Sequence, residues 1–316
     1  MNTPSHTTLA AVPGITVGHA AVPAHGTGCT VVLGPPDGLR AAAYLRGRAT
    51  GTREFDVLDP RHLTPRIDAI CLTGGSAYGL GAADGVMRWL RERGRGLPVG
   101  PAGVVPIVPA AVIFDLGNAG KPPGWPGPDD AYRACDSAGA EIAEGRVGVG
   151  IGATVGKAAG IDKMMPAGLG MWAVQSGAII VAALVVANAV GDVREARGEI
   201  IAGARGPDGR FLDSLRYLAD GGAPFADPRR LTRNTTLAVV ATNAALDRVQ
   251  LQALAQAGSD ALARRITPYG SLYDGDVVFA ISTAAVPARS PLQAEALAAL
   301  AVPTALERAV APAAPA

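Results

Sequence analysis

Two stretches, NTTLAVVATNAALD at 234–247 and ITPYGSLYDGDVVFAIST at 266–283, decide how this chain is read. The runs Thr236–Thr242 and Asp276–Thr283 are short and mostly apolar, which predicts strands covered on both faces. Between them, Leu246–Ile266 carries apolar residues at helical spacing. The same spacing predicts helices over Gly79–Arg91, Ala131–Ala143 and Leu292–Ala301, and strand-like runs occur at Cys29–Leu33, Ala69–Thr73 and Val147–Gly152. The mixture reads as strands and helices packed in layers, with no internal repeat.

The composition excludes several classes. Of 316 residues, 49% are hydrophobic, 4% aromatic and 17% charged. Charged residues usually make up about 25%, so general disorder is excluded, and the chain is long enough to bury a large core. With 28 Lys and Arg against 27 Asp and Glu, the net charge of +1 offers nothing to a nucleic acid. The three cysteines, Cys29, Cys71 and Cys135, are odd in number and form no CxxC, so neither a disulfide framework nor a zinc ribbon is expected; a reducing cytoplasm is. Met1–Leu9 lacks a basic and an apolar region, so no signal peptide is expected. The uncharged run Met164–Gly191 is long enough to cross a bilayer. Pro166, Gly168, Gly170 and the Ser176-Gly177 turn pair interrupt it, so Ala178–Val190 reads instead as a buried strand, and no membrane partner is expected.

Motif matches narrow the chemistry further. All four histidines, His6, His19, His25 and His62, lie early, so no HExxH metal site exists and a Ser-His-Asp triad would have to borrow one of them. GVGIGATVGKAAG at 148–160 satisfies neither the P-loop nor the dinucleotide pattern and reads as a Gly-rich turn. Lys157 within it is either exposed at the turn or buried with a partner. GGSAYG at 74–79 places its last glycine one residue too late for a nucleophile elbow; Ser76 reads as a helix cap or part of a backbone-lined pocket wall. Taken alone, Asn234-Thr235 is a loop-to-strand junction. Asp274 and Asp276, at i and i+2, project to one side of an extended chain, where like charges raise one pKa unless a cation intervenes; alone they also fit a solvated Asp-Gly turn.

Five ordered blocks together carry a resemblance: LTGGSAYGL (72–80), GVGIGATVGKAAG (148–160), VAALVVANAVGDV (181–193), and the two stretches at 234–247 and 266–283. The sequence resembles the P1-type, S58 self-processing peptidases, which include the L-aminopeptidase/D-esterase enzymes and the 6-aminohexanoate (nylon) oligomer hydrolases. The resemblance implies an α+β fold, a four-layer αββα sandwich of the N-terminal-nucleophile type, as one domain over 1–316. It implies cleavage between Asn234 and Thr235 into a large chain, 1–234, and a small chain, 235–316; the polar, Gly- and Pro-containing stretch 218–234 before the cut reads by composition as a mobile loop. It further implies a homo-oligomer, a tetramer of such chain pairs, acting on a small amide or peptide substrate with neither cofactor nor metal.

By the same resemblance, Thr235 is the nucleophile, Asp274 and Asp276 orient it, Lys157 supplies the cation and Asn188 an oxyanion donor; Phe114, Tyr78 and Ser76 are expected to line the substrate pocket. A threonine hydroxyl needs a base, and the amine freed at Thr235 fits, because an α-amine ordinarily titrates at about 7.7–8.0. Asn-Thr at the junction and Asp-x-Asp in the acidic block look more like the nylon-oligomer branch, which shifts the expected substrate toward linear ω-amino acid amides. Aminopeptidase or D-amino acid esterase-amidase activity, and acyl transfer of the ornithine acetyltransferase type, are the alternatives. Tyr269 stands where many relatives have histidine.

Overall fold

The computed structural model describes residues 7–222 and 234–311. Residues 223–233, most of the stretch read as a loop before the junction, and 312–316 lie outside the described residues. In chain order, the strands of the two large sheets are Thr16–Val22 (β1), Thr27–Leu33 (β2), Arg40–Leu45 (β3), Thr52–Arg53 (β4), Ala69–Thr73 (β5), Ala110–Val112 (β6), Leu169–Ser176 (β7), Ile179–Val186 (β8), Leu237–Ala244 (β9) and Val277–Val286 (β10). The helices used below are Ala83–Glu92 (α1), Pro128–Asp136 (α2), Ser214–Ala219 (α3), Arg248–Ala263 (α4) and Pro291–Val310 (α5).

One sheet runs β1-β2-β5-β6-β4 and the other β7-β8-β9-β10-β3. Alternation along the strands explains how they stack, because successive side chains point to opposite faces. In β9, Leu237, Val239 and Ala241 face the other sheet, where Ile70, Leu72 and Ile113 meet them. Ala238, Val240 and Ala244 face α4 and α5, against Leu254, Leu297 and Leu306. On the far side, Cys29, Val31 and Cys71 pack against Val86 and Leu90 of α1 and Ala134 of α2. The order is helices, sheet, sheet, helices: the four-layer sandwich that the resemblance implied. Both faces of the central strands are dry, so their sequences are almost continuously apolar. Each fully buried Val, Leu or Phe contributes roughly 1.5–3 kcal/mol.

The connections set up the site. Strands β9 and β10 pair in parallel with Leu237 opposite Val277, which requires a crossover; α4 provides it. Its start is fixed by a capping box, the Asp247 side chain accepting from Gln250 N–H while the Gln250 side chain accepts from Asp247 N–H. In the other sheet β5 and β6 are also parallel. Residues 46–51 cross from β3 in one sheet to β4 in the other.

Three expectations are corrected. Val147–Gly152 is not a strand: Gly148–Gly152 is a 3-10 turn, and the glycines are there for close approach. A Cβ on Gly148 would stand 2.3 Å from Thr30 Oγ1, and the residue's φ is +50°. The helix expected to reach Ala143 stops at Asp136. Ser76 caps nothing; Gly75 holds the cap position and Ser76 follows it with φ 55°. Met164–Gly191 folds as β-structure including β7 and β8, and no helix among the described residues is long and apolar enough to cross a membrane.

Candidate active site

The site forms where the amino ends of β9 and β10 lie beside the carboxyl ends of β5 and β6. The parallel register carries Asn234 and Asp274 together as an isolated bridge three residues before the sheet pairing begins at Leu237 and Val277. Asp276 is fully buried and Asp274 is 1% exposed; Asn234 and Thr235 are also buried. One carboxylate oxygen of Asp276 accepts from Thr236 N–H at 2.5 Å and the other from Gly270 N–H at 3.0 Å. One oxygen of Asp274 accepts from the Ser271 hydroxyl at 2.6 Å and Ser271 N–H at 2.9 Å; the other accepts from Val190 N–H at 3.4 Å. Burial raises the pKa of Asp274, against these donors and the charge of Lys157. Asp276 is pushed well above the usual carboxylate range by burial and then by Asp274, against its two N–H donors.

Of the two readings of Lys157, burial is the one realised: it is 2% exposed. Its ammonium donates to Asn188 Oδ1 at 2.8 Å and to the Asn188 carbonyl oxygen at 3.0 Å. That carbonyl also accepts Thr235 N–H at 2.9 Å, and Thr154 N–H donates to Asn188 Oδ1 at 3.1 Å. Asn188, at the end of β8, therefore ties the lysine to the backbone nitrogen of Thr235.

The junction is unusually well posed. The Thr235 hydroxyl donates to the carbonyl oxygen of Asn234 at 2.6 Å. The same oxygen accepts Gly275 N–H at 2.8 Å. An alanine Cβ at 275 would stand 2.7 Å from Thr235 Oγ1 and 2.6 Å from the Ala49 carbonyl oxygen, so only glycine lets the backbone come this close.

A cavity of about 270 Å³ opens on Thr235, lined by Ala49, Thr50, Gly51, Ser76, Ala77, Val112, Phe114 and Asn234 as well. Ser76 and Phe114 thus stand where expected. Tyr78 does not line it; its ring stacks on Trp125 with centroids 4.5 Å apart and is 63% exposed. The cavity wall is held from behind by Asp115, which is fully buried. It accepts from the Thr27 hydroxyl at 2.5 Å and Gly75 N–H at 2.7 Å, and burial raises its pKa against those bonds and the Lys157 charge. Sequence reasoning missed Gly275, Ser271 and Thr154, whose parts are played largely by the backbone or through contacts distant in sequence. Tyr269 is half-buried with its hydroxyl 3.3 Å from Ser259 Oγ. Among the described residues, no three His, Cys, Asp or Glu side chains converge as metal ligands would.

The model of peptidase family S58 matches residues 8–314. The chain belongs to peptidase family S58. An uncharacterized aminopeptidase of Mycobacterium bovis is 43% identical over 272 residues, 82% of this chain and 74% of the relative. The 6-aminohexanoate-oligomer endohydrolase of a Kocuria species is 32% identical over 275 residues, 86% of this chain and 73% of the relative. Among solved structures, the L-aminopeptidase D-Ala-esterase/amidase of Ochrobactrum anthropi, described as a variant of the Ntn-hydrolase fold, superposes with TM-score 0.69 at 19% identity, over 98% of this chain and 86% of that one. A Burkholderia beta-aminopeptidase gives TM-score 0.69 at 20% identity, over 98% and 87%. This S58 member is thereby an amide hydrolase with the Ntn-type fold.

Proposed function

We propose that this S58 hydrolase cuts itself before Thr235 and then uses Thr235 to hydrolyse amide bonds of small peptides or linear ω-amino acid oligomers. The observation that carries this reading is the junction: the Thr235 hydroxyl and Gly275 N–H both bond the Asn234 carbonyl oxygen. In maturation, Thr235 Oγ1 attacks the Asn234 carbonyl carbon and its proton passes to the departing nitrogen. Charge on the carbonyl oxygen is met by Gly275 N–H, a donor of the kind that contributes about 3 kcal/mol to a transition state. Water then hydrolyses the ester, leaving Asn234 with a carboxylate and Thr235 with a free α-amine.

That amine is held by the Asn188 carbonyl oxygen, the bond Thr235 N–H already makes. In turnover it accepts the Thr235 hydroxyl proton as the oxygen attacks a substrate amide, and returns the proton to the leaving amine. Hydrolysis of the acyl ester completes the cycle. Lys157 provides positive charge next to two buried carboxylates, which favours their ionised forms, and Asn188 contributes its amide group to the developing oxyanion.

Intact mass under denaturing conditions tests the reading. At about 0.1 kDa per residue for a 31.8 kDa chain of 316 residues, fragments of about 23.5 and 8 kDa are expected, the smaller beginning at Thr235. Thr235→Ala should give one uncut, inactive chain. A Thr235→Ala protein that still splits and hydrolyses amides would end the proposal.

A further inference from the structure

Asn234 is 2% exposed, yet its side chain is only half paired. Nδ2 donates to the Tyr273 carbonyl oxygen at 3.4 Å, while Oδ1 is sealed from solvent and has no hydrogen-bond partner among the described residues. A buried acceptor without a donor is uncommon and costly. The donors around it are committed. Gly275 N–H goes to the Asn234 carbonyl, Thr235 N–H to the Asn188 carbonyl and Thr236 N–H to Asp276, and Ser271 gives both its N–H and its hydroxyl to Asp274. The donor left for Oδ1 is water. Asn234 walls the cavity of about 270 Å³, and a water takes up about 30 Å³. The uncut junction keeps that water from Oδ1, and the first step of cleavage lets it in. The ester path from the Asn234 carbonyl carbon to Thr235 Cα, through Oγ1 and Cβ, is an atom longer than the amide path through nitrogen. The chain therefore gains slack where Asn234 meets the cavity. Because the asparagine side chain is short, a water donating to Oδ1 lies beside the carbonyl carbon of the same residue.

Resting on the self-cleavage proposed above, we infer that Asn234 Oδ1 positions the water that hydrolyses the Thr235 ester. The water donates one hydrogen to Oδ1 and gives its other proton to the freed Thr235 amine as its oxygen bonds to the Asn234 carbonyl carbon. The bond from that carbon to Oγ1 then breaks, Oγ1 takes the proton back from the amine, and Asn234 is left as a carboxylic acid that ionises. Asn234 is thus a positioning residue for the second step of maturation, and its work ends once the chain is cut.

Maturation of freshly purified native protein, followed by intact mass with and without neutral hydroxylamine, reads this step, because hydroxylamine splits esters in place of water and leaves amides whole. Asn234→Ala removes the acceptor and Asn234→Gln shifts it by a methylene. Both should cut about tenfold more slowly than wild type, or slower still, in buffer alone. Hydroxylamine should restore the cut and leave the large fragment ending in a hydroxamate. Asn234→Asp, which keeps an oxygen at the same place, should mature without needing hydroxylamine. Cutting of the Ala and Gln variants at the wild-type rate, a folded slow variant that hydroxylamine does not speed, or an Asp variant that stalls as the Ala variant does overturns the role. So does a wild-type large fragment lighter by one water, the mark of a succinimide formed by Asn234 Nδ2. A Thr235→Ala protein that still cuts overturns instead the nucleophile on which the role rests.

Discussion

Replacing Gly275 by alanine tests the junction geometry most directly. The glycine does not have a positive φ, so an alanine backbone is admissible there and the effect comes from crowding alone. The added Cβ would be 2.7 Å from Thr235 Oγ1, against 3.4 Å where ordinary contact begins, so the nucleophile or the loop must yield by roughly 0.7 Å. A misplacement of about 1 Å can slow a positioned reaction about 100-fold, and a displaced Gly275 N–H weakens the donor as well. Self-cleavage of Gly275→Ala should therefore slow by about 100-fold or more, while overpacking costs about 1–3 kcal/mol of stability. The assay is a time course of intact mass on freshly purified protein, with thermal unfolding run alongside. Gly81→Ala is the control, since its Cβ meets nothing within 4 Å. A folded Gly275→Ala protein that releases the Thr235 terminus at the wild-type rate would refute the idea that this close approach drives cleavage.

Other outcomes follow from the buried polar groups. His19 is held near pKa 4 by burial, below its ordinary 6.5. The native state therefore stays neutral while the unfolded chain takes a proton, and stability falls by about 3 kcal/mol as pH drops from 6.5 to 4. His19→Gln should lack that loss in urea unfolding at stepped pH; the raised Asp274 and Asp276, whose stabilising contribution is lost in the opposite direction as pH climbs above 3.8, are common to both proteins and cancel. A difference between the two proteins that does not change with pH would contradict the assignment. Asp192 is fully buried and accepts from Ala204 N–H at 3.0 Å, Ser214 N–H at 2.5 Å and Ser214 Oγ at 2.7 Å. Asp192→Ala leaves these donors orphaned and should destabilise by about 3 kcal/mol or more, read as a lower urea midpoint; an unchanged midpoint would show that water replaces the carboxylate freely.

The central strands were legible because both their faces are dry: LAVVATNA and VVFAIST carry their burial in composition. The outer strands were not. Thr16–Val22 and Arg40–Leu45 mix polar and apolar residues; the first pairs with its sequence neighbour Thr27–Leu33, and the second is placed by Val277–Ser282, far along the chain. Val147–Gly152 read as strand-like from its apolar residues, whereas the Gly-rich turn read at 148–160 is what forms; the structure spends the three glycines of GVGIG on packing against Thr30, Gly145 and Asp115. At the site, Thr235, Lys157, Asn188, Asp274 and Asp276 were named from the resemblance, and the fold brings them together. Gly275 N–H, between two aspartates, and Asp115, holding the wall through Thr27, 88 positions earlier, left no side-chain pattern to read. The 218–234 loop lies mostly outside the described residues.

The parallel pair at the centre of the second sheet has one more consequence. Residues 235–316 supply β9 and β10, its two neighbouring inner strands, together with α4 and α5 that cover them. Without them, β8 and β3 would face each other across a gap of about 14 Å, three strand spacings wide, and one whole helical layer would be missing. A nick before Thr235 therefore divides the polypeptide without dividing the fold. Neither piece can depart without stripping the sheet of its middle, so the two fragments should come apart only by global unfolding. Under the proposed cut, holding together would be a property of strand order and would require no covalent link.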